Sequence, residues 1–356
     1  MAIKIKRGCG SPLFILIAEL FILIYFNRKK YFLYKRQSVL VCYDLWYTET
    51  IKRENMQEYN RLNEYLKNKL GGRTLKICID GGFTCPNRDG KCGTGGCIFC
   101  GEKGSGESTR AGSIKAQVKN HLASYRGDRA ERFIAYFQNF TNTYAPIEVL
   151  KSRYDEALCD KRIVGLAVAT RPDCINREVA ELLKSYKDKG LYVWVELGLQ
   201  TVNEEVGKLI NRGYANNDFE KASKLLNEAG IDICTHIMIG LPNEKEGDID
   251  DIINFVNSQK VWGIKIHSTY VIQGTRLEEM YKKGEYKPID REEYIDKVIY
   301  ILTRLRPDIV VHRITGDAPK DILVAPSWST HKKLVLNSVD NSMRKDHLYQ
   351  GMYYKK

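Results

Sequence analysis

The chain has 356 residues, of which 43% are hydrophobic and 28% charged, a composition typical of globular proteins that bury a core. This composition excludes a chain that is disordered throughout. The net charge of +12 is compatible with a polyanionic partner, but a solvated basic surface explains it equally well.

The first segment of the chain is apolar, short and flanked by basic residues. Leu13 to Phe26 contains one charged residue, Glu19. The run is shorter than the ~20 residues that span a bilayer, and no small-residue cleavage site follows it, so a transmembrane helix and a signal peptide are disfavoured. A poor membrane anchor, an interfacial segment and upstream sequence that is not normally translated remain open, and we favour the last. We therefore expect residues 1–55 to be an extension and the functional protein to begin at Met56.

The chain after Met56 begins with a helical pattern and continues as alternating β-rich and helical stretches. Leu62, Leu66 and Leu70 share one face of the first helix, which is expected to stop at Gly71. Strands are predicted at Thr74–Ile79, Arg132–Gln138, Ile163–Ala169, Tyr192–Leu199, Asp232–Gly240, Ile264–Ile272 and near 309–314. Helices are predicted near 113–125, 147–158, 175–189, 203–211, 216–229, 248–258 and 290–305. Strict alternation predicts an α/β protein with a parallel sheet, either open or curved into a barrel, whose functional groups gather where the strands end.

A glycine-rich segment with several cysteines follows the first predicted strand. Cys97 and Cys100 form a C-x2-C pair, which can chelate either zinc or an iron–sulfur cluster. A structural zinc site would add Cys85 and Cys92 to reach four ligands, whereas a cluster with three cysteines would leave one iron open. Because the loop caps the first strand of a long α/β domain rather than a small zinc ribbon, we favour the cluster. Cys78 alternates with apolar strand residues and is more typical of a core position.

Several blocks in the chain make the sequence resemble the radical S-adenosylmethionine (SAM) superfamily, and specifically its YhcC/YtqA family, which is related to the radical SAM domain of the Elongator catalytic subunit. The blocks are Asp80–Asn87 (DGGFTCPN), Gly95–Cys100 (GGCIFC), Tyr136–Pro146 (YFQNFTNTYAP), Glu196–Thr201 (ELGLQT), His236–Pro242 (HIMIGLP), Lys265–Thr275 (KIHSTYVIQGT) and Ala325–Trp328 (APSW). The resemblance implies a partial (β/α)6 TIM-like radical SAM barrel over residues 56–300 and a small C-terminal extension over residues 301–356.

The resemblance also implies the cofactors and their chemistry. Cys85, Cys97 and Cys100 would hold three irons of a [4Fe–4S] cluster, and the role of Cys92 stays undefined. SAM would bind the fourth iron and be cleaved reductively to a 5′-deoxyadenosyl radical, which abstracts a hydrogen from the substrate.

Further positions acquire expected roles from the same resemblance. The polar groups of the Thr141–Thr143 turn would bind the methionine amino group of SAM, or simply form a polar turn. Glu196 would bind the ribose of SAM, or form a structural ion pair. Arg212 would bind the carboxylate of SAM, or cap a helix. The expected SAM contacts are Thr141, Asn142, Thr143, Glu196, Gln200, Arg212, Ile239, Gly240, Val271 and Gln273. The expected substrate contacts are Lys265, His267 and Tyr270, although His267 is also typical of a core histidine.

We therefore expect a cytoplasmic radical SAM enzyme. Its resemblance to the Elongator catalytic subunit and to YtqA-type proteins implies that it acts on the C5 side chain of the wobble uridine of tRNA. A flavodoxin-type or ferredoxin-type protein would supply the electron. Two alternatives stay open: a radical SAM enzyme acting on a small metabolite, and a zinc-stabilised nucleic-acid-binding protein without catalysis. The apolar N-terminal segment leaves weak membrane association open, and the oligomeric state is not predicted.

Overall fold

The computed structural model describes residues 57–102, 104 and 112–355, which belong to one compact unit. The predicted extension over residues 1–55 lies outside the described residues. Within the described ranges, no helix has the length and apolar character needed to cross a bilayer.

Strands and helices alternate along this unit, as the sequence predicts. The helices are α1 (Leu62–Leu70), α2 (Ile114–Leu122), α3 (Ile147–Ala157), α4 (Arg177–Asp188), α5 (Glu204–Leu209), α6 (Asn216–Glu228), α7 (Asp248–Ser258), α8 (Arg276–Lys282), α9 (Arg291–Arg304) and α10 (Lys332–Lys345). The strands are β1 (Thr74–Ile79), β2 (Arg132–Phe137), β3 (Ile163–Thr170), β4 (Tyr192–Gln200), β5 (Asp232–Ile239), β6 (Gly263–Ser268), β7 (Val271–Ile272), β8 (Val310–Arg313) and β9 (Leu323–Ala325).

Seven strands form one parallel sheet in the order β1-β2-β3-β4-β5-β6-β8. Strand order therefore follows chain order, which is the arrangement of a βα barrel. The seventh strand, β8, comes from the segment 301–356, so one strand of the predicted C-terminal extension is part of the sheet. The predicted α/β class with a partial TIM-like barrel is confirmed.

One predicted strand, Ile264–Ile272, is wrong as a single element. Strand β6 ends at Ser268, and β7 pairs antiparallel with β9 in a separate two-stranded sheet. The backbone N–H of Thr269 donates to the carbonyl of Ile239, the last residue of β5. Gly240 then turns that neighbouring strand away with a φ of 79°, so β6 has no partner beyond this point.

The sheet is curved, and side chains on its inner face show this directly. Adjacent strands lie roughly 4.8 Å apart, so the edge strands β1 and β8 of a flat sheet would be separated by tens of ångströms. Yet Lys76 of β1 and His312 of β8 both lie within 4 Å of the Glu196 carboxylate on β4, at 3.6 and 3.8 Å. The outer face packs its apolar residues against the helices in the main core.

Helix α1 packs beneath this half-barrel. Its buried Leu62 and Leu66 pack against Val310 of β8, and Gly71 ends the helix in a left-handed conformation with its N–H on the Lys67 carbonyl. The predicted helix and its stop are confirmed. The loops that carry the polar motifs lie at the opposite end of the half-barrel, where the parallel strands terminate.

Candidate functional site

The cysteine-rich loop lies at the carboxyl end of β1. The backbone N–H groups of Arg88 and Asp89 donate to the Cys85 carbonyl at 2.8 and 3.2 Å, and the N–H of Cys100 donates to the Cys97 carbonyl at 3.0 Å. Each of these tight turns fixes the backbone beside a cysteine. Cys85, Cys97 and Cys100 are half-buried, whereas Cys92 is exposed.

Cys97 and Cys100 have pKa values that depend on the neighbouring thiols. A hydrogen bond to Cys100, burial and the charges of Cys100 and Cys85 raise the pKa of Cys97 well above its ordinary value. The same hydrogen bond, helped by the charge of Arg88 against burial, lowers the pKa of Cys100. Burial is the main cause that raises the pKa of Cys174 to about 12, and the charges of Asp173, Cys85 and Cys92 add to it.

The thiols of this loop have the chemistry that an iron–sulfur cluster requires. A zinc ion requires all its thiolates within about 2.3 Å of one centre, whereas a cubane cluster spreads them over different irons. Cys85, Cys97 and Cys100, near one another and beside the charges of Arg88 and Arg171, suit the second case.

Two asparagines join the cysteine loop to the loop that follows β4. The side-chain amide of Asn87 donates to the Asn211 carbonyl and lies 3.9 Å from the sulfur of Cys97. The amide of Asn211, which has a φ of 54°, donates to the Gly96 carbonyl at 2.7 Å. The N–H of Ile98 adds a bond to the Ile210 carbonyl at 3.1 Å. The segment that carries Cys97 is therefore held by a second loop of the barrel.

Arg171, directly after β3, belongs to the same assembly, although the sequence reasoning missed it. Its guanidinium is bound by Asp173 at 2.8 and 2.9 Å and donates to the carbonyls of Arg212 and Gly213 at 3.0 Å. Asn87 was missed as well, although it stands in the DGGFTCPN block two residues after Cys85. A charged residue at the end of a buried strand was the available signal for Arg171.

The Thr141–Thr143 turn follows β2 and is buried. The Asn142 amide donates to the Ala169 carbonyl at 2.8 Å, while its own buried oxygen has no hydrogen-bond partner among the described residues. The Thr143 hydroxyl lies 2.6 Å from that of Thr170 and donates to the Cys174 carbonyl at 2.8 Å. These bonds place the turn beside the loop after β3, with the Asn142 oxygen left as an available acceptor.

Glu196 lies fully buried on the inner face, in the middle of β4. One carboxylate oxygen accepts from the Tyr136 hydroxyl at 2.6 Å and lies 3.0 Å from His236 Nε2; the Lys265 ammonium is paired with the same oxygen. The other oxygen accepts from the indole of Trp194 at 3.1 Å. Burial would raise the pKa of Glu196, but the charges of Lys265 and Lys76 outweigh it and hold this pKa well below its usual range.

Gln200 and Arg212 lie where β4 ends. Gln200 adopts a φ of 58° and accepts from the Tyr214 hydroxyl at 2.6 Å. The buried guanidinium of Arg212 donates to the carbonyls of Leu199 and Thr201 at 2.9 and 2.6 Å and to Glu204 at 2.9 Å. Arg212 thus stabilises the loop after β4, and its contact with the SAM carboxylate stays a prediction.

The four remaining expected SAM contacts occupy the ends of β5 and β7. Ile239 is buried in the main core, and Gly240 donates its N–H to Glu244 at 2.9 Å. Val271 packs in a second apolar cluster with Ile98 of the cysteine loop, whereas Gln273 is exposed beyond it. This second cluster places the GGCIFC block next to β7.

The expected substrate residues begin on β6. Burial lowers the pKa of Lys265 to about 8, against the opposing effect of Glu196, so the ammonium is still protonated at neutral pH. The rings of His267 and His236 lie 5.5 Å apart, and burial holds the pKa of His267 well below its ordinary value. Tyr270 follows β6 beside Gly316. The structure thus divides the expected residues into a group on the loops at the strand ends and a group inside the barrel around Glu196.

Comparison with known proteins shows which class of protein has this fold and cysteine loop. The radical SAM superfamily model matches residues 89–256, and the radical SAM C-terminal domain model matches residues 261–345. The structure of an N-terminally deleted archaeal Elp3 from Methanocaldococcus infernus aligns with a TM-score of 0.59 at 22% identity, covering 78% of this chain and 64% of that one. The chain therefore has the fold of a radical SAM enzyme.

Individual relatives define the family more narrowly. YtqA of Bacillus subtilis is 37% identical over 315 residues, which cover 87% of this chain and 95% of YtqA. The tRNA uridine(34) acetyltransferase of M. infernus is 34% identical over 168 residues, 46% of this chain but 30% of that enzyme. The chain belongs to the YhcC/YtqA family of the radical SAM superfamily. Membership implies a [4Fe–4S] cluster and SAM as cofactors, and the cysteine loop has the donors for such a cluster.

Proposed function

We propose that this radical SAM enzyme modifies the C5 side chain of the wobble uridine of tRNA. The observation that carries the proposal is the similarity to 30% of an enzyme named for uridine 34 of tRNA. That similarity covers less than half of this chain, so substrate and site are both proposals. The net charge of +12 is compatible with this polyanionic substrate.

Each group of residues has a proposed task. Cys85, Cys97 and Cys100 hold the cluster, which with SAM supplies a hydrogen-abstracting radical when bound. The proposed SAM contacts are Thr141, Asn142, Thr143, Glu196, Gln200, Arg212, Ile239, Gly240, Val271 and Gln273. The free oxygen of Asn142 suits the methionine amino group, because that oxygen is buried without a donor.

The substrate base would enter the half-barrel from the same end. Lys265, His267 and Tyr270 are the proposed substrate contacts. Enzymes that act on a base must take it out of its stack, and a single-stranded anticodon loop makes this less costly. The buried walls around Glu196 would exclude water from the radical. A flavodoxin-type or ferredoxin-type reductant and a cytoplasmic location complete the proposal. The proposed domains are the barrel over residues 56–300 and an extension over 301–356 that adds β8 to the barrel sheet, with residues 1–55 outside the functional unit.

Two measurements test the substrate. Mass spectrometry of bulk tRNA nucleosides from a deletion strain is expected to show a missing or altered modified uridine. The purified enzyme, incubated anaerobically with SAM and reductant, is expected to form 5′-deoxyadenosine faster when tRNA is added. An unchanged nucleoside profile, together with 5′-deoxyadenosine formation that tRNA does not stimulate, would contradict the tRNA assignment and favour a small-metabolite substrate.

A further inference from the structure

The interior of the half-barrel contains more positive than negative charge. Lys76 and Lys265 on the inner face are both paired with the buried carboxylate of Glu196. The charge of Arg313 acts on Tyr136 and Lys265 on the same face. Asp232, the other acid on that face of the described strands, lies at the opposite end, where the Tyr192 hydroxyl binds it at 2.9 Å. Three cations against one nearby carboxylate leave a surplus of two positive charges.

The neighbouring histidines do not alter this balance at neutral pH. Burial and nearby cations lower the pKa of His236 to about 4, and burial lowers that of His312 to about 3. Both rings are therefore neutral. Among the described residues, Arg313 makes no ion pair. A positive charge that is partly removed from water without a counter-charge is costly, which indicates that an anion completes this region.

The surplus charge extends to the open edge of the sheet between β1 and β8. A cavity of about 290 Å³ lies beside β1 and is lined by Lys76, Cys78 and Arg126, among others. Burial and the charges of Arg313 and Lys76 lower the pKa of Lys332, at the start of α10. Its acidic neighbour Asp317 lies at 3.9 Å. Arg126 makes no ion pair within the described part of the chain and is exposed.

We propose that Lys76, Arg126, Arg313 and Lys332 form a phosphate-binding site at this open edge, which holds the backbone of an RNA substrate beside the nucleotide in the barrel. The inference rests on the proposed function for its choice of RNA. The four cations come from β1, the α2–β2 connection, β8 and α10. They are too widely distributed to be paired with one carboxylate, whereas the successive phosphates of an RNA backbone match such a distribution. The two arginines also suit phosphate, because the guanidinium group binds its oxygens in pairs.

The test measures binding of a fluorescein-labelled anticodon stem-loop RNA by the full chain across a salt series. Arg313→Gln and Arg126→Gln are each expected to weaken binding roughly ten-fold and to reduce the slope of log affinity against log salt by about one. Lys224→Gln, which removes an exposed cation from α6 on the outside of the barrel, is the matched control and is expected to change neither. Iron content confirms that each variant is folded; Arg126 is exposed, so its replacement remains informative if Arg313→Gln fails to fold.

A second arm separates this site from the tRNA proposal. Calorimetry measures binding of uridine 5′-monophosphate and of inorganic phosphate to the same proteins. If the RNA does not bind but the nucleotide binds in a manner that requires Arg126 and Arg313, the phosphate site stands and the tRNA substrate is wrong. If the RNA binds and both variants match Lys224→Gln, or if no phosphate compound binds at all, the phosphate site is overturned.

Discussion

At the scale of single residues, Glu196 shows how a buried charge organises the inner face. A carboxylate in an apolar strand was expected to require partners, and the sequence offered either a ribose or an ion pair. The structure supplies an ion pair with Lys265, further along the chain by 69 positions, and a hydroxyl from Tyr136. The curvature of the sheet determines which distant strands contribute those partners. The alternation of residues along a strand does not predict that curvature, so the partners could not be named from the sequence.

The buried ion pair between Glu196 and Lys265 predicts a large effect of mutation on stability. Glu196→Gln preserves the shape of the side chain but leaves the Lys265 ammonium buried without its counter-charge, so the free energy of unfolding at neutral pH should fall by about 3–5 kcal/mol. Chemical denaturation measures this change. Glu205→Gln, which removes an exposed partner of Lys208, is the control and should leave the denaturation midpoint unchanged. Equal midpoints for the Glu196 variant and the parent chain would show that the pair does not stabilise the fold.

His236 predicts a pH dependence of stability. An unfolded histidine takes up a proton near pH 6.5, whereas folded His236, facing Lys265, Lys76, Glu196 and His267, does so near pH 4. Between these values the unfolded state binds more protons, so stability falls as the pH drops from 6.5 towards 4. His236→Gln should reduce the slope of unfolding free energy against pH by up to about 1.4 kcal/mol per pH unit in this window. The exposed His331→Gln is the comparison variant, and an identical slope in both variants would refute the assignment.

The cysteine ligands give a prediction with an internal control. Cys85→Ala, Cys97→Ala or Cys100→Ala should each abolish or strongly reduce bound iron, because each removes a thiolate from the cluster. Cys92→Ala should retain it, because Cys92 is exposed, whereas the three proposed ligands are half-buried and both Cys85 and Cys100 act on Cys97. Iron and sulfide analysis after anaerobic reconstitution measures the outcome. Loss of the cluster in the Cys92 variant would place a fourth cysteine in the ligand set.

At the scale of elements, the strand ends are connected by side chains from the loops rather than by further strands. Asn87, Asn211 and Arg171 join the loops after β1, β3 and β4 through bonds to carbonyl groups. The sequence predicted the strands and helices well, because hydrophobic alternation determines them. It missed the break after Ser268 and the roles of Asn87 and Arg171, because these depend on which loops meet at the rim.

Asn211 tests this connection between loops. Asn211→Gly keeps the backbone conformation at a φ of 54° accessible but removes the amide that binds the Gly96 carbonyl. We expect reduced iron content after reconstitution, because the Cys97 segment loses one of its attachments. Asn243→Gly replaces an exposed asparagine with a φ of 60° on the loop after β5 and should leave iron content unchanged. Full iron content in both variants would show that the amide is dispensable.

At the scale of the whole molecule, one half-barrel brings together a cysteine loop at its rim and a positively charged interior. The parallel order of seven strands and the family matches agree on a radical SAM enzyme. The barrel and its C-terminal mouth were predictable from βα alternation and from the motif blocks. The placement of β8 beside β6 and the surplus of charge along this edge were not, because both depend on which distant segments of the chain meet in the fold.

We propose that this chain holds a redox-active [4Fe–4S] cluster at Cys85, Cys97 and Cys100 and uses it on SAM. The most direct measurement follows the visible absorption of the anaerobically reconstituted full chain on addition of dithionite, with 5′-deoxyadenosine quantified after SAM is added. We predict a brown protein that bleaches on reduction and releases 5′-deoxyadenosine, with neither signal in Cys97→Ala. A colourless protein that carries zinc and leaves SAM intact would contradict it.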